Sequence, residues 1–206
     1  ARLIWLTGPS GSGKDSLLNA LREAPPEQLV IAHRYITRPA DAGGENHVAL
    51  SEAEFRRREA LGLFAISWQA HGLHYGLGEE IDHWLARGLN VLVNGSRLHL
   101  PIVAQHYGAQ LLPLVLQVSS AVLEARLRQR GRESEAEISK RLARAAEPLP
   151  AHCHSLKNDC ALSDTLDKLR QLLEHPTRNS LFSEPAACSL RRCSAVIVTP
   201  VNAPAL

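Results

Sequence analysis

The chain has 206 residues, of which 45% are hydrophobic and 21% charged, and its formal net charge is +2. This composition predicts one main globular domain with room for an appendage and excludes fibrous and wholly disordered classes. The near-neutral charge argues against a nucleic-acid partner, and no apolar stretch approaches the roughly 20 residues of a membrane span. No export signal is evident. We therefore expect a cytoplasmic protein with neither nucleic-acid nor membrane partners.

Strands and helices alternate along the chain up to about residue 174. The predicted strands span residues 2–7, 29–36, 63–68, 89–93 and 111–118, with a turn or short strand at 72–78. The predicted helices span residues 14–23, 79–87, 121–129, 134–147 and about 164–174, and another begins at Ser51. Continuous apolar runs such as 111–118 are typical of strands buried on both faces of a parallel sheet. The pattern predicts an α/β fold in which helices cover both faces of the sheet.

Local signals mark several boundaries. Ser51 with Glu54, and Ser134 with Glu137, have the spacing of capping boxes at helix starts. No periodicity after residue 175 fits the sheet. We predict a main domain over residues 1–175 and a tail at 176–206 that is disordered or faces a partner.

A glycine-rich loop separates the first strand from the first helix. It consists of Gly8, Pro9, Ser10, Gly11, Ser12, Gly13 and Lys14, and matches the pattern G-x-x-x-x-G-K. Such a loop turns its backbone amides toward phosphate, the following helix adds its positive N-terminal dipole, and the lysine reaches the β- and γ-phosphates. The sequence predicts a P-loop that binds ATP with residues 8–16.

The residue after Lys14 departs from the usual pattern. A serine or threonine normally places a hydroxyl on Mg²⁺ there, but this chain has Asp15, followed by Ser16. A carboxylate is also a hard oxygen ligand, so Asp15 is our candidate for Mg²⁺. The alternative is that Asp15 only complements the helix dipole.

The order of motifs resembles that of the guanylate kinase branch of nucleoside-monophosphate kinases. The matching stretches are GPSGSGK at 8–14, ITRP at 36–39, GLF at 62–64, HYG at 74–76, GLNVL at 88–92, RLRQRG at 126–131 and RL at 141–142. The resemblance implies a P-loop NTPase fold with an acceptor-binding insert at about 33–80 and a helical lid at about 120–147. It also implies that Arg38 and Tyr75 bind the acceptor's phosphate.

The lid arginines have an intelligible chemical role. Phosphoryl transfer needs positive charge around the transferring group, and Arg126, Arg130 and Arg141 lie on a helix pair able to close over ATP. We predict that they act with Lys14 in catalysis. A solvated basic helix face is the alternative.

Some positions differ from those of guanylate kinases. Guanylate kinases have a second arginine and a tyrosine where this chain has Asp41 and His47, and a base-binding glutamate where it has Ile66. An aliphatic side chain cannot accept the hydrogen bonds of guanine, so we expect guanine recognition to be lost. The chain also has Asn94-Gly95-Ser96-Arg97 in place of a further acid, which suits a sugar phosphate.

These differences are shared with a second family. The segments GPSGSGKDSLL at 8–18, ITRP at 36–39, WQAHGLHYG at 68–76 and VNGSR at 93–97 resemble the ribose 1,5-bisphosphate phosphokinases of the bacterial phosphonate pathway. The resemblance implies transfer of the γ-phosphoryl group of ATP to ribose 1,5-bisphosphate, giving 5-phosphoribosyl 1-diphosphate (PRPP) and ADP, with Mg²⁺.

The acceptor would need further contacts. The candidates are Gln69, His71, His74, Asn94, Ser96 and Arg97. Three alternatives stay open: a guanylate kinase with altered base contacts, a non-catalytic guanylate-kinase-like binding module, and a kinase for another small metabolite. The expected partners are ATP and a sugar phosphate, and a homodimer is compatible with the sequence.

Overall fold

A computed structural model of the chain describes residues 1–43, 45–131, 133–147 and 153–174. The strands are β1 (Leu3–Thr7), β2 (Leu29–Ile31), β3 (Tyr35–Ile36), β4 (Val48–Ala49), β5 (Phe64–Ala70), β6 (Leu73–Gly78), β7 (Asn90–Asn94), β8 (Leu111–Gln117) and β9 (His154–Lys157). The helices are α1 (Lys14–Glu23), α2 (Glu52–Ala60), α3 (Glu80–Ala86), α4 (Leu100–Tyr107), α5 (Ser120–Arg130), α6 (Glu135–Ala145) and α7 (Leu162–Glu174).

The first sheet has five strands in the order β2-β7-β1-β8-β9, and every neighbouring pair is parallel. The central strand β1 is buried along its whole length because helices cover both faces. Leu3 and Trp5 pack with α3 and α4 on one face, whereas Ile4 and Leu6 pack with α1 and α7 on the other. The predicted α/β class with a parallel sheet between helices is confirmed.

The second sheet has four strands in the order β4-β3-β6-β5. Strands β5 and β6 form an antiparallel hairpin whose turn contains His71 at φ 51° and Gly72 at φ 72°. Two successive positive φ angles are typical of a two-residue turn that matches the twist of the strands. Helix α2 covers this sheet by packing Phe55 against Phe64, with ring centroids 4.6 Å apart.

Helices α5 and α6 form a hairpin against the glycine loop. The helix α5 ends at Gly131, which adopts the left-handed conformation, and α6 begins with the reciprocal hydrogen bonds of a capping box between Ser134 and Glu137. Leu123, Leu127 and Ile138 form the small core between the two helices.

Several sequence predictions differ from the structure. The predicted strand at 29–36 is wrong, because the chain leaves the first sheet after Ile31 and enters the second at Tyr35. Strand β4, helix α4 and strand β9 were not predicted. The predicted tail at 176–206 lies outside the residues that the structure describes, and none of the described helices is both long and apolar enough to cross a membrane.

Candidate active site

The glycine loop connects the end of β1 to the start of α1. Gly13 has φ +92°, a conformation that other residues rarely adopt. A Cβ added to Gly13 would lie 2.6 Å from Nδ2 of Asn158, and one added to Gly11 would lie 2.9 Å from Cδ1 of Leu123. Both positions therefore need glycine because of backbone angle and because of space.

Lys14 is the first residue of α1, and its side chain is largely withdrawn from water. Its Nζ donates to the carbonyl oxygen of Gly8 at 2.6 Å and to that of Pro9 at 3.2 Å. Burial lowers the pKa of Lys14 to about 8, while the neighbouring carboxylate of Asp15 raises it. The ammonium therefore keeps most of its charge at neutral pH. Its hydrogen-bond partners among the described residues are uncharged carbonyl oxygens, which are weaker acceptors than phosphate oxygens.

Two further features of the loop suit a triphosphate with its metal ion. The hydroxyl of Ser12 is buried and has no hydrogen-bond partner among the described residues. Asp15 and Ser16 lie in the first turn of α1, are exposed, and line the adjoining cavity. The chemistry of Asp15 fits Mg²⁺, since exposed carboxylates beside phosphate sites are common ligands of this ion.

A cavity of about 420 Å³ extends from the glycine loop to the second sheet. Five cationic side chains and two acidic ones line it: Lys14, Arg34, Arg38, Arg97, Arg130, Asp15 and Glu45. This excess of positive charge suits a ligand with several negative charges.

An ion pair lines the part of the cavity next to the second sheet. The guanidinium of Arg34 binds both carboxylate oxygens of Glu45, with Nε 2.8 Å from Oε1. Asn94, at the end of β7, donates from Nδ2 to Oε2 of Glu45 at 3.1 Å. The side chains of Arg34 and Glu45 are 13% and 7% exposed. Neither residue was predicted to belong to the site.

Aromatic rings hold Arg34 in place. The rings of Trp68 and Tyr75 are stacked, with centroids 5.5 Å apart and planes at 6°. The guanidinium carbon of Arg34 lies 5.0 Å from the Tyr75 centroid and 5.9 Å from that of Trp68. Cation–π contact and the bidentate pair together fix the orientation of this arginine.

Besides Asn94, three more of the residues predicted to contact the acceptor have protein partners. Nη2 of Arg38 lies 3.2 Å from Nδ1 of His47, and Oγ of Ser96 lies 3.0 Å from Nδ1 of His99. Nη1 of Arg97 donates to Oε2 of Glu147, beyond the end of α6, at 3.2 Å. Arg97 thus connects the end of the first sheet to the end of the α5–α6 hairpin.

The three arginines of the α5–α6 hairpin that were predicted to be catalytic lie near the glycine loop in different ways. Arg126 donates to the carbonyl oxygens of Ser12 at 3.3 Å and of Asn158 at 2.9 Å. Arg141 donates to the hydroxyl of Ser10. Arg130 is exposed and lines two cavities that both adjoin the glycine loop: the one of about 420 Å³, which is the large cavity of this pair, and a second one of about 360 Å³.

The structure brings most of the predicted site residues to the large cavity. Those that line it are Gly8, Ser10, Gly11, Gly13, Lys14, Asp15, Ser16, Arg38, His71, Tyr75, Asn94, Ser96, Arg97 and Arg130. Arg126 lines the second cavity instead.

Gln69 and His74 do not line the large cavity. Gln69 is exposed and is flanked by Trp68 and Ala70, which do line it. Successive side chains of a strand point to opposite faces of the sheet, so Gln69 faces away. His74 alternates with Tyr75 in the same way, and its Nε2 lies 3.8 Å from Oε1 of Glu52. On sequence alone, the period of two separates Gln69 from Trp68 and His74 from Tyr75, but only the tertiary structure shows which face of each strand meets the cavity.

Comparison with known proteins assigns the family. The model of the family described as guanylate kinase matches residues 1–176. The chain belongs to the guanylate kinase family. A solved guanylate kinase from Anaplasma phagocytophilum has the same fold, with a TM-score of 0.66 at 18% identity over 87% of this chain and 88% of the other.

Curated relatives narrow the assignment within the guanylate kinase family. A protein named ribose 1,5-bisphosphate phosphokinase PhnN from Pantoea vagans is 70% identical over 84% of this chain and 98% of its own length. A protein of the same name from Yersinia pestis is 57% identical over 90% of this chain and 96% of its own length. At these identities the chain also belongs to the PhnN group of the guanylate kinase family.

The position expected to carry a base-binding glutamate in guanylate kinases is Ile66 in this chain. The Ile66 side chain is only 5% exposed and packs in the hydrophobic core with Trp68 and Leu77. The face of β5 that reaches the cavity presents Trp68 and Ala70, neither of which can pair with the edge of a base through a carboxylate.

Proposed function

We propose that this protein transfers the γ-phosphoryl group of ATP to the 1-phosphate of ribose 1,5-bisphosphate, releasing PRPP and ADP in the cytoplasm. The strongest support is the 70% identity to a protein named ribose 1,5-bisphosphate phosphokinase over nearly the whole of that relative. The cavity agrees with this function because cationic side chains outnumber acidic ones along it, and because the position expected to carry a base-binding glutamate is the buried Ile66.

The nucleotide half of the proposed site consists of the glycine loop and the α5–α6 hairpin. Residues 8–16 bind the ATP phosphates, and Lys14 exchanges its loop carbonyls for phosphate oxygens. Asp15 is the residue that would hold Mg²⁺, which when bound supplies positive charge to the β- and γ-phosphates. Arg130 and Arg141 stabilise the transferring group, and Arg126 holds the loop carbonyl of Ser12 in place.

The acceptor half consists of the second sheet with its connecting loops, together with the end of β7. Arg38, Arg97 and Tyr75 are the proposed phosphate ligands, because a guanidinium offers two parallel donors and a phenol one. Arg38 and Arg97 would exchange their contacts with His47 and Glu147 for phosphate oxygens.

The chemical step needs no general base. An oxygen of the acceptor's 1-phosphate is already anionic and attacks the γ-phosphorus. The bond from that phosphorus to the β,γ-bridging oxygen breaks, and the electron pair leaves with ADP. The work of the protein is to align the two anions and to offset their repulsion, which the five cationic side chains of the cavity can do.

An acceptor comparison tests the proposal. ADP release is measured with ribose 1,5-bisphosphate or GMP as acceptor, and PRPP is identified directly by mass spectrometry. We expect turnover with ribose 1,5-bisphosphate and at least about 100-fold lower kcat/KM with GMP, since an unpaired base edge costs roughly 1 to 3 kcal/mol per group. Efficient turnover of GMP alone would replace this proposal with guanylate kinase activity.

A further inference from the structure

Glu45 is an acid in the part of the cavity that is proposed to hold an anionic acceptor. Its side chain is 7% exposed and lines the cavity. A carboxylate repels phosphate, so the contribution of Glu45 cannot be phosphate binding. A buried ion pair such as Arg34 with Glu45 also adds little net stability, because desolvation offsets the attraction. We therefore expect a ligand that donates hydrogen bonds to the Glu45 carboxylate.

The hydrogen bonds of Glu45 leave part of its capacity unused. An ionised carboxylate has about four acceptor positions. Arg34 and Asn94 supply three donors to Glu45, two of which go to Oε2. Among the described residues, no donor occupies the remaining position on Oε1.

Asn94 offers a second acceptor next to Glu45. Its Nδ2 is used by Glu45, while its Oδ1 accepts no hydrogen bond from the part of the chain that the structure describes. Asn94 also lines the cavity. The two joined side chains, each with an acceptor oxygen that has unused capacity among the described residues, therefore both line the cavity proposed for the acceptor.

The charges along the cavity distinguish the binding of phosphates from the binding of hydroxyl groups. Because Arg34 neutralises Glu45, the carboxylate adds little net repulsion to the phosphates, which have Lys14, Arg38, Arg97 and Arg130 as their partners. Neutral hydroxyl donors suit the Glu45 and Asn94 oxygens, since hydrogen bonds to a charged acceptor are the stronger kind.

We propose that Glu45, with Asn94, binds the 2- and 3-hydroxyls of the acceptor's ribose and so determines specificity for a sugar with a free vicinal diol. This inference rests on the proposed function, because it takes ribose 1,5-bisphosphate as the acceptor. In this arrangement Arg34 is a positioning residue, since it orients the Glu45 carboxylate while stacked on Tyr75.

Acceptor analogues combined with a Glu45 variant test the proposal. We compare ribose 1,5-bisphosphate with its 2-deoxy and 3-deoxy analogues in the wild-type protein and in Glu45→Gln. The wild type should prefer the full diol over at least one analogue by on the order of 10- to 100-fold in kcat/KM, as expected for a hydrogen bond to a charged group. The preference should fall below about 3-fold in Glu45→Gln, with unchanged binding of an ATP analogue.

The control is Glu27→Gln, which makes the same change at an exposed position outside the cavity. If Glu45 only supported the structure, Glu45→Gln would slow all three acceptors equally and leave the preference intact. That result would overturn the inference. Equal use of all three acceptors by the wild type would also overturn it, while leaving the proposed function standing. If the wild type turned over none of them, the proposed function and this inference would both fail.

Discussion

The two halves of the cavity are built in different ways. In the nucleotide half, the phosphate-binding loop is one continuous segment, residues 8–16, whose geometry follows from its glycines and from the helix after it. The acceptor half combines residues from the 34–45 segment, the β5–β6 hairpin and the end of β7. Under the proposed function, a local motif therefore specifies phosphate binding, whereas tertiary contacts specify what receives the phosphoryl group.

Lys14→Ala removes the one ammonium group of the glycine loop. We expect kcat/KM to fall on the order of 10³-fold, because a preorganised charge at the transferring group is lost. Lys168→Ala, an exposed position on α7, is the matched control and should keep full activity. Steady-state kinetics of ADP release measure both variants, and normal activity in Lys14→Ala would rule out a P-loop mechanism.

Gly13→Ala tests how strictly the nucleotide half depends on local geometry. The new Cβ would meet Asn158 at 2.6 Å and would sit on a backbone with φ +92°. We expect the free energy of unfolding to fall by about 3 kcal/mol and ATP binding to weaken. Gly62→Ala shares the positive φ, at +72°, but has open space, so it should cost only about 1 to 2 kcal/mol. Equal costs in denaturant titrations would contradict the steric part of the argument.

Arg38→Ala should affect the acceptor half alone. The loss of a bidentate phosphate ligand is expected to lower kcat/KM for the acceptor on the order of 100-fold, with ATP affinity unchanged. Arg57→Ala, on the exposed surface of α2, serves as the control. Kinetics with each substrate varied in turn separate the effects. A parallel loss of ATP affinity would show that the two halves are not independent.

The pH dependence of ATP binding reports on Lys14. Because its pKa is lowered to about 8 and only the protonated form attracts phosphate, affinity should fall as pH rises through 8. We expect a loss of up to about 10-fold between pH 7 and 9, measured by calorimetry with an ATP analogue. The control is Lys14→Arg, which keeps its charge over this range. We expect this variant to bind ATP more weakly than the wild type but with no inflection near pH 8. If its pH profile were identical to that of the wild type, the titration would belong to another group.

Gln69→Ala is expected to change kcat/KM less than about 2-fold for either substrate. Its side chain is exposed and lies on the face of β5 opposite to Trp68 and Ala70. A large loss for the acceptor in the same kinetic assay would mean that the hairpin rearranges when substrate binds.

The difference between local and tertiary contacts also explains which predictions from the sequence succeeded. Helix α1 and the capping box of α6 follow from residues within one or two turns, and both were predicted from sequence. The 29–36 strand failed because nothing local marks where the chain passes from one sheet to the other. Strand β9 is short and pairs only with the distant β8, so its four residues carry little periodic signal of their own.

The sequence by itself determined the glycine loop, the parallel sheet and the family, because these depend on short spacings and on continuous apolar runs. Only the tertiary structure placed Arg34 over Tyr75 and Glu45 against Asn94, since these partners are separated by 41 and 49 positions along the chain. It also turned Gln69 away from the cavity. Side-chain direction on a strand and pairing across sheets are set by the packing of the whole molecule, and the acceptor half of the site depends on both.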